Sequence, residues 1–172
     1  VGYNHPYIVK HQDILGKLSI NKTTLSDIYN IYYADFLETF NKIAVPKYLK
    51  HAFFIDGGSL AVENALKAAF DWKKRNNLCK GIKKNGDKVI YFNQAFHGRT
   101  GYTLSLTNTS DPRKTMYFPK FPWFKVDNPY LKFPINETSL QQTIDYENQV
   151  IDSIEKNVNK NKDDIAALII EP

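Results

Sequence analysis

The 172-residue sequence predicts an α/β fold, a mostly parallel sheet with flanking helices. Two observations lead there. Short apolar runs at residues 51–55, 88–92 and 165–170 alternate with longer stretches of helical periodicity. Each run also ends in chemically loaded residues: Asp56-Gly57-Gly58-Ser59 after the first, a loop containing Phe96-His97-Gly98-Arg99 after the second, and Glu171 after the third. Ligands of such sheets sit at the carboxyl ends of the strands.

Taken in order, residues 1–20 read as irregular, broken by Gly2, Pro6 and Gly16. A helix follows from Thr24, an N-cap with Asp27 three residues on, and Leu25, Ile28, Tyr32, Phe36 and Phe40 share its face until Pro46 ends it. Residues 51–55 read as the first strand. The helix over 59–75 shows Val62, Ala65, Leu66, Ala69 and Trp72 on one side, with Glu63 and Lys67 as an i,i+4 pair in the favoured order. Asn76-Asn77 and the Lys/Gly-rich residues 80–87 form a polar connection to the strand over 88–92. Residues 100–107 begin another helix. Five prolines and several aromatic residues between 108 and 136 predict a long connection packed on the surface. The last helix, over 137–160, places Leu140, Ile144, Ile151, Ile154 and Val158 on one stripe and leads to the third strand.

The composition narrows the classes. Hydrophobic residues make up 42 %, which argues against disorder. The net charge of +5 comes from scattered lysines, the pattern of a solvated surface, and no nucleic-acid-binding motif accompanies it. Cys79 is the only cysteine, so an internal disulfide is impossible and a cytoplasmic setting is expected. No apolar run reaches the roughly 18 residues that span a membrane. The four histidines show no metal-ligand spacing, and no metal is expected. The opening Val1 and the ending at Glu171-Pro172 read as 172 residues of something longer.

Three constellations carry chemistry. Glycines before a helix let an anion approach backbone N–H groups at the positive end of the dipole, and Ser59 adds a hydroxyl; the same residues also suit a plain turn. In Phe96-His97-Gly98-Arg99 the guanidinium suits a carboxylate and the phenyl ring a flat partner; a packed loop with a structural ion pair is the alternative. Glu171 suits either a ligand-supporting carboxylate or the cap of a following helix.

Together these residues resemble the class III aminotransferases, fold-type I enzymes that use pyridoxal 5′-phosphate. The resemblance rests on Gly57-Gly58-Ser59, the run from Ala61 to Lys67, Phe96-His97-Gly98-Arg99 and Glu171-Pro172. Within the family it is strongest to the branch acting on the ε-amino group of L-lysine, through Leu60 and the helix that follows, residues 101–109 and Phe118-Pro119-Lys120-Phe121. The resemblance implies a partial large domain over 46–172, preceded by an N-terminal segment and helix over 1–45. It implies that Gly58 and Ser59 hold the cofactor phosphate, that Phe96 stacks on its ring, and that His97 and Glu171 complete the cofactor site. Arg99 would bind the substrate α-carboxylate.

The expected reaction passes the ε-amino group of L-lysine to 2-oxoglutarate, giving 2-aminoadipate 6-semialdehyde and glutamate, in a homodimer. No catalytic residue is expected inside residues 1–172, because the family's Schiff-base lysine has no counterpart there; alone, the chain is expected to be inactive. Another ω-aminotransferase, acting on ornithine or 4-aminobutyrate, is the near alternative. An inactive fragment or a basic phosphate-binding module is the distant one.

Overall fold

The computed structural model describes residues 2–21 and 29–171. They form two compact units, divided between Asp56 and Gly57.

The first unit is helical. Contrary to the irregular start expected from its glycines, it opens with α1 (Pro6–Lys10) and α2 (Gln12–Ser19). Pro6 sits in the first turn of α1, where its missing N–H costs nothing, and the His5 side chain accepts from the Tyr7 N–H. Helix α3 runs Ile31–Ile43, with the Asn30 side chain accepting from the Tyr33 N–H. The expected cap at Thr24, with Leu25, Asp27 and Ile28, lies outside the described residues. Tyr33, Phe36 and Phe40 turn their rings toward Phe54, each edge-on at centroid distances of 5.0–6.4 Å.

That packing corrects the first expected strand. Residues 51–55 pair with no other backbone among the described residues. Their apolar character serves Phe54 against α3, and a short apolar run does not by itself distinguish a ladder from a packed strap. The glycine turn at 57–58 therefore does not follow a strand.

The second unit is the α/β layer. Its sheet has the order β2-β1-β3 and is wholly parallel: β1 is Lys88–Phe92, β2 Phe124–Val126 and β3 Ile165–Ile169. Helix α4 (Gly58–Cys79) precedes β1, the short α5 (Thr103–Leu106) follows it, and α6 (Glu137–Asn161) joins β2 to β3. β1 is central and covered on both faces, which explains why Val89-Ile90-Tyr91-Phe92 is apolar throughout rather than alternating. Val89 packs with Leu66, Leu106 and Trp123 on the α4 side. Ile90 and Phe92 pack with Val126 and Val150 on the α6 side. Strand β2 escaped detection because three residues containing Lys125 carry too little pattern.

Helix faces also shift. On α4 the core stripe is Val62, Leu66 and Phe70, whereas Trp72 is 62 % exposed. Phe70 meets Tyr102 edge-on and lies against Trp123, so the aromatic neighbours decide which ring goes inward. Helix α4 runs four residues beyond Arg75, and Asn77, expected in the connection, is buried within it. On α6 the buried positions are Thr143 and Val150, with Ile154 packed beside them, while Leu140, Ile144, Ile151 and Val158 are substantially exposed. The 108–136 connection is packed through Phe121 and Trp123, whose rings stack at 5.1 Å, whereas Tyr117 is exposed.

Candidate functional site

A cavity of about 500 Å³ opens at the carboxyl end of β1. Gly58, Ser59 and Val62 of α4 line one wall, and Phe96, His97, Gly98 and Arg99 line the other.

The α4 wall begins at Gly57, whose φ of +89° is a conformation that disfavours residues with a Cβ. The N-cap of α4, Gly57, makes no side-chain capping hydrogen bond. The first N–H groups of a helix lack intrahelical partners, and Gly58 and Ser59, which line the cavity, carry two such donors at the positive dipole end. A Cβ built on Gly58 meets nothing within 4 Å, so the helix start is open. The Ser59 hydroxyl is engaged elsewhere: it lies 3.2 Å from the Thr100 hydroxyl and 3.1 Å from that of Thr103. The backbone of Ser59, rather than its side chain, is what this wall offers an anion.

The opposite wall is pinned at several points. Glu171, just past β3, accepts from the Phe96 N–H at 2.7 Å. The His97 N–H donates to the Thr107 hydroxyl at 3.1 Å, and that hydroxyl donates to the Gly98 carbonyl at 2.6 Å. Phe96 is left 46 % exposed. Arg99 is exposed and takes part in none of the ion pairs among the described residues. His97 is 9 % exposed, and its Nε2 has no hydrogen-bond partner among the described residues. Burial disfavours the imidazolium and lowers the His97 pKa, with Glu171 opposing more weakly.

Sequence reasoning missed the residues that join the two walls. The sequence pairs Glu63 with Lys67 across one helical turn. In the structure Glu63 is buried and Lys67 is exposed. The Glu63 Oε1 accepts from the Thr100 hydroxyl at 2.8 Å, the Tyr102 N–H at 2.7 Å and the Thr103 N–H at 3.2 Å. The available signal was the i,i+4 placement of Ser59 and Glu63 opposite a threonine-rich segment.

Chemically, the cavity combines backbone donors at a helix start, an aromatic face, a guanidinium that joins no ion pair among the described residues and a buried imidazole. Such a set suits a ligand with a phosphate and a flat ring, alongside a carboxylate. Pyridoxal 5′-phosphate fits it on these grounds.

Comparison with known proteins agrees. The family model described as Aminotransferase class-III matches residues 1–172. An L-lysine-epsilon aminotransferase of Mycobacterium bovis is 46 % identical over 144 residues, covering 81 % of this chain and 32 % of that protein. One from Amycolatopsis lactamdurans is 39 % identical over 175 residues, covering 100 % of this chain and 38 % of its own length. The solved lysine aminotransferase from M. tuberculosis superposes with a TM-score of 0.87 at 41 % identity, covering all of this chain and 40 % of that one. The chain thus spans about a third of the length of the curated relatives it matches.

Proposed function

The chain belongs to the class III aminotransferases, and from that premise we propose that it builds part of the cofactor and substrate site of an enzyme that transfers the ε-amino group of L-lysine to 2-oxoglutarate. The products are 2-aminoadipate 6-semialdehyde and glutamate. The observation that carries this reading is the meeting, in one cavity, of the start of α4, an exposed Phe96 and Arg99, which joins no ion pair among the described residues.

In this reading the N–H groups of Gly58 and Ser59 hold the phosphate of pyridoxal 5′-phosphate, and Phe96 covers its ring. His97, buried in the same wall, completes the cofactor site. Glu171 steadies Phe96 through the backbone. When bound, the cofactor supplies an electron sink that lets an amine exchange for a carbonyl. Arg99 grips the α-carboxylate, and holding that end orients the distant amine of lysine rather than the α-amine. No lysine lines the cavity among the described residues, so we assign the lysine that attaches the cofactor to sequence outside residues 1–172. Residues 46–172 would be the first part of the large domain and 1–45 the N-terminal segment. A homodimer and a cytoplasmic setting belong to the same proposal and rest on the family.

The test is kinetic, in an enzyme containing this sequence. Loss of a charge-assisted contact worth about 1.5–3 kcal/mol should raise the KM for lysine roughly ten- to a hundredfold in Arg99→Ala. Unchanged KM removes Arg99 from the site. Higher kcat/KM for ornithine or 4-aminobutyrate than for lysine overturns the substrate assignment.

A further inference from the structure

We propose that Glu63 is a positioning residue that sets the spacing between the phosphate-holding and carboxylate-holding walls of the site. The proposal rests on the functional reading above and adds a role for a side chain that touches neither ligand.

The geometry is specific. Ser59 and Glu63 are one turn apart on α4 and both face the segment that follows Arg99. One oxygen of the Glu63 carboxylate gathers three donors from three residues of that segment, Thr100, Tyr102 and Thr103. Beside it, the hydroxyls of Ser59, Thr100 and Thr103 lie within 2.9–3.2 Å of one another. Gly98 completes the junction: a Cβ there would stand 1.9 Å from the Ser59 Oγ. The first turn of α4 and the residue next to Arg99 are therefore drawn together through a buried carboxylate and a glycine with no room to spare.

The consequence is mechanical. Arg99 immediately precedes Thr100, so the distance from the Gly58–Ser59 donors to the guanidinium depends on Glu63 holding Thr100. A chain longer or shorter by one methylene would present its amine at a different depth if that distance changed. Glu63 thus acts on substrate registration through Arg99.

The experiment compares Glu63→Ala, Glu63→Gln and Val150→Ala in the cofactor-loaded enzyme. Val150 lies on the opposite face of the sheet and reports general destabilisation. Loss of the shared acceptor should raise the KM for lysine about tenfold in Glu63→Ala with kcat changed less than about threefold, and Glu63→Gln, which keeps an acceptor oxygen, should recover most of that loss. Amide hydrogen exchange should quicken by at least about tenfold at Tyr102 and Thr103 in Glu63→Ala, well beyond the change at remote amides.

Equal KM changes in Glu63→Ala and Val150→Ala, or exchange that rises uniformly, would overturn the proposal. If Glu63→Ala does not fold, Thr100→Val supplies the same test by deleting one donor. If the unsubstituted enzyme binds no pyridoxal 5′-phosphate, the functional reading fails while the exchange experiment still decides whether Glu63 clamps the segment.

Discussion

Gly98 shows how little freedom the site has at single positions. Its φ of +116° and the 1.9 Å approach of the Ser59 Oγ to an added Cβ both oppose substitution. Backbone strain and overpacking each cost about 1–3 kcal/mol, so Gly98→Ala should lose roughly 3 kcal/mol in urea denaturation and weaken cofactor binding. A variant of wild-type stability would show that the walls can part.

His97 makes a pH-dependent claim. Its folded pKa lies below the ordinary value of 6.5, because burial opposes the charge; nearby Glu171 only partly compensates. The unfolded chain then binds the proton first as pH falls. The contribution of His97 to stability is complete above the unfolded value and is lost as pH drops through the folded one. Subtracting the stability–pH profile of His97→Gln from that of the parent should leave a difference that falls as pH drops through and below the ordinary histidine value. A flat difference means that His97 titrates as it does when unfolded.

Helix starts divide by purpose. Asn30 and Asn136 cap α3 and α6 with their side chains, and the Asn136–Ser139 pair forms a reciprocal capping box. Helix α4 begins at Gly58, after an N-cap glycine that supplies no side-chain hydrogen bond, and its first residues line the cavity. Asn136→Ala should therefore cost about 1 kcal/mol with no effect on cofactor affinity, measured by thermal melts and spectral titration. Periodicity read α6 and most of α4 correctly, since both follow a 3.6-residue repeat. It misjudged the facing of Trp72 and Leu140, because which side of a partly apolar helix is covered depends on its neighbours.

At the scale of the whole molecule, the α/β unit is closed by Asn77 as much as by its apolar clusters. Asn77 is 2 % exposed, and its amide nitrogen donates to the Lys84 carbonyl at 3.1 Å and to the Asp163 carbonyl at 2.7 Å. It ties the end of α4 to the connection before β1 and to the turn before β3. Asn77→Ala strands two acceptors and should cost about 2–4 kcal/mol in a single cooperative unfolding transition. A smaller loss would mean that water replaces the amide.

The sequence alone determined that α4, α6, β1 and β3 form and that a parallel sheet joins them, because helical periods and doubly covered apolar strands are local patterns. Its resemblance to a family also pointed to Gly58, Ser59, Phe96, His97 and Arg99, which the structure brings to one cavity, and to Glu171, which bonds the Phe96 backbone. Tertiary structure decided the rest: that residues 51–55 pack as a strap, that the Ser59 hydroxyl turns to Thr100 and Thr103, and that Glu63 points inward. These depend on partners far along the chain. Glu63 meets Tyr102 across 39 positions and Phe96 meets Glu171 across 75. No local repeat encodes such separations; they arise only when burial brings the segments together and each desolvated polar group must find a partner.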